Sequence, residues 1–508
     1  MSANRRDFIK FVVAGAISAG CPVDLALLSA QNQGGPEVDS EDNRICHQVR
    51  DGKVFTRPPV SSRHDIVIVG GGISGLTAAY LLRHRDFVLL EKEPHWGGNA
   101  YLMEFQGNAY ATGSAYIERD ETAAYPFVKE IGLDPLPVNC RDGSFIKGEW
   151  VPATWNEGLD KLPYSASVRE AFKKFKKEML AIDLEKRAAE LHNMRFSDLM
   201  KGYPEELKLW WDTFGPSNWG AVSEDTSAWV AIDNFQGLAG DEVPDYCTWP
   251  GGLGAISKKL VDILQPKFGE YMRAGATTVA VVPDGKEVQI TYMQGGELKT
   301  VAAKAVIMAT PKFITQRIVQ GLPEKQSDAM QQIRYIPYCV VNLIFDKPVF
   351  GKGYDTWCPG NTFTDFIVAD WVIRNQADYR SKYNILSCYT PMAEEERRNL
   401  LDDAGVRKVA ANVLGDFQKL FPGSNVDPVE VHIYRRGHPL YMSTPGLYTQ
   451  IQPLARRPMD RVFFANTDSE GPESTTDRAI AAARRAVKEA EARLAGNPAP
   501  KELSGVAG

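Results

Sequence analysis

Gly70, Gly72 and Gly75, within Gly70-Gly71-Gly72-Ile73-Ser74-Gly75, and an acid at Glu91, 21 residues after Gly70, have the spacing of a dinucleotide site. The first glycine permits a tight turn and the second lets backbone approach a pyrophosphate. The third lets the following helix pack on its strand, and that helix's N-terminus stabilises phosphate charge. Gly71 and Ser74 complete the turn, and Glu91 is placed to accept hydrogen bonds from a ribose diol. A second pair, Gly97-Gly98, lies six residues past Glu91, where many flavoproteins place glycines under the cofactor. The pattern therefore points to FAD rather than NAD.

These residues need a strand, a turn, a helix and a second strand to hold them. Asp65-Ile66-Val67-Ile68-Val69 is β-branched and apolar, as a buried parallel strand should be. Leu76 to Leu82 reads as the helix, with Leu76, Ala79, Tyr80 and Leu82 inward, and Phe87 to Leu90 as the strand that ends on Glu91. The fold class is α/β: a Rossmann-type FAD-binding domain with a second, α+β substrate domain. At 508 residues the chain is expected to divide into two domains with separate cores.

The net charge of -6 argues against a nucleic-acid partner. Lys173, Lys174, Lys176 and Lys177, interleaved with Phe172 and Phe175, read as an amphipathic helix with a solvated face. The seven cysteines include no CxxC pair, and no His/Cys/Glu cluster has metal-ligand spacing, so no metal is expected. One disulfide is open, without a choice of partners.

The chain begins Asn4-Arg5-Arg6-Asp7-Phe8-Ile9-Lys10 and continues uncharged from Phe11 to Val23. That run is short of the about 20 residues of a membrane span and has the layout of an export signal. It resembles a twin-arginine signal, which implies export of a folded protein to the periplasm with the twin-arginine translocase as partner. Ser18-Ala19-Gly20-Cys21 resembles a lipoprotein box and Leu28-Ser29-Ala30 a plain cleavage site, so a membrane partner is expected only if Cys21 is lipidated. Residues 31–64, rich in Pro, Gly and Ser, read as a linker, and 496–508 as a flexible tail.

From Asp65 onward the chain resembles the flavin-containing amine oxidase family, which also takes in protoporphyrinogen-oxidase-like and phytoene-desaturase-like enzymes. Besides the opening unit, the resemblance rests on Trp249-Pro250-Gly251-Gly252-Leu253, Ala305 to Pro311, Phe345-Asp346-Lys347-Pro348 and Phe464-Ala465-Asn466-Thr467-Asp468. It implies a discontinuous FAD domain (65–125, 241–315 and 425–495) around a substrate domain (126–240 and 316–424). It also implies adenine contact at Val279 and a ribityl contact at Asp468. Trp210, Trp211, Trp219, Trp229, Trp357 and Trp371 fall in the substrate segments, where such density is more often core than pocket.

The chain departs from that family at three places. The family's flavin-facing lysine falls on Val340, a framing aromatic falls on Thr475 or Thr476, and Asn466 replaces a glycine. Oxidation of a simple amine is thereby put in doubt. His438 and Tyr441 are the candidate catalytic groups, since the family often has a Pro-x-Tyr segment near this point and histidine suits proton transfer near neutrality. The reading is an exported FAD-dependent oxidoreductase acting on a small or medium organic molecule. The alternatives are a desaturase of an apolar ring or polyene, with a long apolar tunnel, or a non-catalytic flavin-binding redox partner. The last cysteine is Cys388, too early for the family's C-terminal covalent attachment, so FAD is expected to be non-covalent.

Overall fold

The computed structural model describes residues 37–496, except residues 375 and 378. The leader, the Cys21 box and the 496–508 tail beyond Gly496 lie outside the described residues. Two sheets organise the chain. The first has Val60–Val69 in parallel between Phe87–Leu90 and Glu297–Met308, with Val462–Phe464 parallel to the far side of Glu297–Met308. An antiparallel pair, Ala276–Asp284 and Glu287–Gln294, extends it. Ile66, Val67 and Ile68 are fully buried because helices cover one face and further apolar side chains the other. Ile73–Leu81 and the closing helix Thr476–Leu494 share one core with them.

The second sheet has eight strands, in the order Glu37–Ser40, Glu430–Tyr441, Tyr335–Phe345, Asn384–Pro391, Asp365–Val368, Asp355–Trp357, Gly143–Ile146 and Glu149–Val151. Two of its strands correct the expected boundaries. Glu430–Tyr441, expected in the FAD domain, pairs antiparallel with Tyr335–Phe345 and belongs to the substrate sheet. Glu37–Ser40, expected in a linker, adds in parallel to Glu430–Tyr441, and Arg44–Arg50 follows as a helix.

Helices Ala166–Leu180, Glu205–Trp219 and Ala228–Ala239 lie over this sheet. Their contact is an aromatic core in which Trp155 meets Trp210 at 5.0 Å and Phe235 at 4.6 Å between ring centroids, both edge to face. Such pairs contribute about 0.5–1.5 kcal/mol beyond area burial. Phe172 and Phe175 enter this core while Lys173 pairs with Asp160 and Glu170 outside. Among the described residues no helix is long and apolar enough to cross a membrane, no cluster could hold a metal, and the six cysteines are unpaired.

Candidate FAD and substrate site

One cavity of about 1530 Å³ runs between the two sheets, larger than the roughly 300–1,000 Å³ of an ordinary ligand pocket. At one end it meets the glycine turn. Gly70 has φ +109°, and a Cβ there would sit 2.6 Å from the Ala309 carbonyl oxygen. At Gly75 a Cβ would lie 1.8 Å from the Gly70 oxygen, so the helix packs this closely only on glycine. Glu91, buried at the end of its strand, accepts from the Gly71 amide at 2.5 Å and the Glu93 amide at 2.8 Å. Burial raises its carboxyl above the usual range, against the lowering by Lys92 and these two amides.

Of the expected cofactor residues, Gly70, Gly72, Ser74, Glu91, Gly97 and Gly98 line the cavity. Gly71 and Gly75 act behind it, through the amide to Glu91 and the helix contact. The Ser74 hydroxyl donates to the Ala479 carbonyl at 3.0 Å, tying the first helix to the last. Val279 does not line the cavity; Ala276, Thr277 and Thr278 do, since the strand bulges between Thr278 and Ala280.

Asp468 is also corrected. It lies behind the lining, paired with Lys312 Nζ at 2.6 Å, and accepts from the Lys312 amide at 2.8 Å and the Tyr335 hydroxyl at 2.6 Å. Both side chains of the pair are wholly buried, so Asp468 braces the wall and is not free to meet a ribityl chain. Sequence reasoning missed Lys312, for which a lysine just after the apolar run Ala305 to Pro311 was the only signal.

The lining has two electrical characters. Around the nucleotide end stand Arg44, Arg50, Arg317, Arg397 and Arg436 among the acids Glu41, Asp42, Glu91 and Glu93, so this end carries charge of both signs, and the arginines suit a pyrophosphate. Thr278 Oγ1 is buried there without a hydrogen-bond partner among the described residues. The arginines, the glycine turn and this orphaned hydroxyl fit FAD.

At the far end the substrate sheet presents Tyr338, Val340, Asp355, Trp357, Asp365, Ile367 and Tyr389. Tyr338 and Val340, Asp355 and Trp357, and Asp365 and Ile367 are each two apart on one strand, so each pair shares a face. Asp365 accepts from Ser217 at 2.8 Å and Thr364 at 2.6 Å, and Tyr389 donates to the Gly113 carbonyl at 2.6 Å. Asp355 is 3% exposed, and its Oδ1 has no hydrogen-bond partner among the described residues. Glu118, Asp120, Glu121, Asp233, Glu473 and Asp477 line the same cavity, and Arg478 lies 3.5 Å from Asp477.

Burial first, then neighbouring carboxylates, pushes Glu118 and Asp233 up to about 7 and Glu121 up to about 9. Asp355, Asp365 and Glu473 are raised as well, chiefly by burial. Acids shifted upward in this way are costly to ionise unless a cation joins them.

Both candidate catalytic residues reach the cavity, in different surroundings. His438 lies against Phe313, ring centroids 4.3 Å apart, facing Arg397, Glu41, His47 and Arg317 at the nucleotide end. Burial, then Arg397, lowers it to about 4, so it is neutral at pH 7 and poorly suited to donate a proton there. Tyr441 is buried, with its hydroxyl 3.4 Å from the Gly471 carbonyl. Val340, Thr475 and Thr476 also line the cavity, without the family's lysine or aromatic ring. Of the tryptophans in the substrate segments, Trp357 lines it, and Trp210, Trp211 and Trp219 are core.

The family model for flavin containing amine oxidoreductase matches residues 73–490. The chain belongs to that family. FAD is the cofactor of these homologues, and the chain is an FAD-dependent oxidoreductase. It is 23% identical over 498 residues to oxidoreductase PigB from a Serratia species, covering 81% of this chain and 73% of that protein. To flavin-containing amine oxidase A of Equus caballus it is 23% identical, covering 84% of each chain. Among solved structures, putrescine oxidase bound to putrescine matches with a TM-score of 0.65 at 18% identity, over 85% of this chain and 99% of that one. Cyclohexylamine oxidase from Brevibacterium oxydans matches at 0.66 and 16% identity, over 85% and 99%. These two likenesses support the fold.

Proposed function

We propose that the chain oxidises an amine bound as a cation, and that a di- or polyamine is preferred to a monoamine. The observation that carries this is the set of carboxylates lining the cavity, in two groups, the buried Asp355 and Asp365 and the half-buried Glu118, Asp233 and Glu473. A second ammonium group gives the second acid group a counter-charge, as a monoamine does not. The diamine of the putrescine oxidase structure is a ligand of that kind. An apolar polyene would leave these acids desolvated and unpaired, which disfavours the desaturase reading.

Bound FAD supplies the electron acceptor. The protein's part is to orient the substrate on Asp355 and Asp365, exclude water with Tyr338, Tyr389 and Trp357, and take up the ammonium proton. Glu118 and Asp233, near 7, are matched to that proton without the missing lysine. The test is turnover with oxygen or an artificial acceptor over a panel of monoamines, diamines of increasing length and an apolar polyene. Diamines should give the highest kcat/KM; preference for the polyene would end this reading.

We also propose export by the twin-arginine translocase to the periplasm, supported by Arg5-Arg6 and the apolar run after them. The mass of the exported protein would tell cleavage near Ala30 from lipidation at Cys21.

A further inference from the structure

Residues 37–50 touch both the substrate sheet and the FAD-domain strands. Glu37–Ser40 extends the substrate sheet, register Glu37 to His432 and Ser40 to Arg435, and Val38 packs against the core under that sheet. The chain then crosses to the other domain. The Asp42 amide donates to Glu93 Oε1 at 3.1 Å, two residues beyond Glu91, and Glu41 Oε2 accepts from the Gly437 amide at 3.3 Å. Lys92 lies beside both Glu41 and Glu93. The helix Arg44–Arg50 packs near the strand Ala276–Asp284 and the helix Lys312–Ile318. Glu41, Asp42, Arg44, Cys46 and His47 consequently line the cavity together with Glu91 and Thr278.

We propose that this segment is a strap completing the FAD site: it forms the outer wall at the adenosine end and must lift for the cofactor to enter or leave. The site is open on that side without it, because the residues expected to hold ribose and adenine come from strands whose ends the strap covers. Its attachment is suited to opening. None of the helix residues Arg44–Arg50 is fully buried, and the Asn43 side chain does not cap the helix. The crossing is held by a few polar contacts, so it opens locally while both domains stay folded. The strap precedes the glycine turn in sequence, so an early stretch of chain closes a site formed by residues as far on as Thr278.

The test uses the full-length holoenzyme and two readouts other than turnover. The first is the rate of FAD release on dilution, followed by flavin fluorescence, in the wild type and in Glu41→Ala. The variant loses the contact to Gly437 and the charge beside Lys92, and should release FAD at least about ten-fold faster at an unchanged melting temperature of the apoprotein. An unchanged release rate would overturn the proposal. The second is hydrogen exchange of the wild type, which needs no variant. Added FAD should slow the amides of residues 41–50 by a larger factor than those of Glu430–Tyr441, the strand beside the strap. Equal exchange of 41–50 with and without FAD would show that the segment is not part of the site.

Discussion

Asp355→Asn should make the protein more stable and a poorer amine oxidase at the same time. The carboxyl of Asp355 is 3% exposed, one oxygen is unpaired among the described residues, and its pKa is raised by burial and by Asp365 and Asp142. A carboxyl whose folded pKa lies above its unfolded value contributes stability below the unfolded pKa and loses it as pH rises through the folded one. At pH 8 this raised carboxyl is a cost to the empty protein, whether it ionises in its buried site or keeps a proton that the unfolded chain has lost, and asparagine removes that cost, so the midpoint of chemical denaturation should rise. For a bound ammonium the balance reverses. A charge pair at 4 Å is worth about 4 kcal/mol at an effective dielectric constant near 20. The cost of ionising and drying the pair takes back roughly half, leaving about 2 kcal/mol. At 1.36 kcal/mol per factor of ten, kcat/KM for a diamine should fall about 30-fold. The assay is steady-state oxidation beside urea denaturation of the same preparation. Unchanged kcat/KM, or loss of stability and activity together, would refute the reasoning, since damage to the fold moves both downward.

Lys312→Met should leave Asp468 as a buried, unpaired charge and cost about 3–5 kcal/mol of stability by denaturant titration, with part recovered in Lys312→Met/Asp468→Asn. Gly75→Ala places a methyl group 1.8 Å from the Gly70 oxygen, so it should abolish FAD retention through gel filtration. Glu118 and Asp233, raised to about 7 by burial, should reduce the melting temperature of the substrate-free protein as pH rises from about 4 through 7. Saturating diamine should flatten that slope, and its affinity should increase over the same range; a slope unaffected by diamine would place these acids outside the substrate site. Arg5→Lys/Arg6→Lys should hold the protein in the cytoplasm, as fractionation and blotting would report.

The nucleotide end was legible because its residues are local. Gly70 to Gly75, Glu91 and Gly97-Gly98 lie within one strand–helix–strand unit, where spacing along the chain becomes spacing in space. The acid end was not, because Glu118, Asp233, Asp355, Asp365 and Glu473 come from distant segments and meet only when the two sheets close on one cavity. Asp468 was misplaced for a related reason. Its partner Lys312 is 156 residues away, and nothing next to Asp468 shows that its lone pairs are taken. Residues 37–50 read as a linker because their composition is polar. A strand added through backbone hydrogen bonds needs little apolar side chain, so pattern reasoning does not see it.

The central claim is that FAD-bound protein draws electrons from an amine held by acids. Anaerobic titration of the purified, flavin-loaded protein with a diamine, followed in the visible spectrum, tests it most directly. The diamine should remove the oxidised flavin bands at a rate that saturates, about ten-fold or more faster than a monoamine of equal length. Bands that persist with every amine and bleach with an apolar polyene would contradict it.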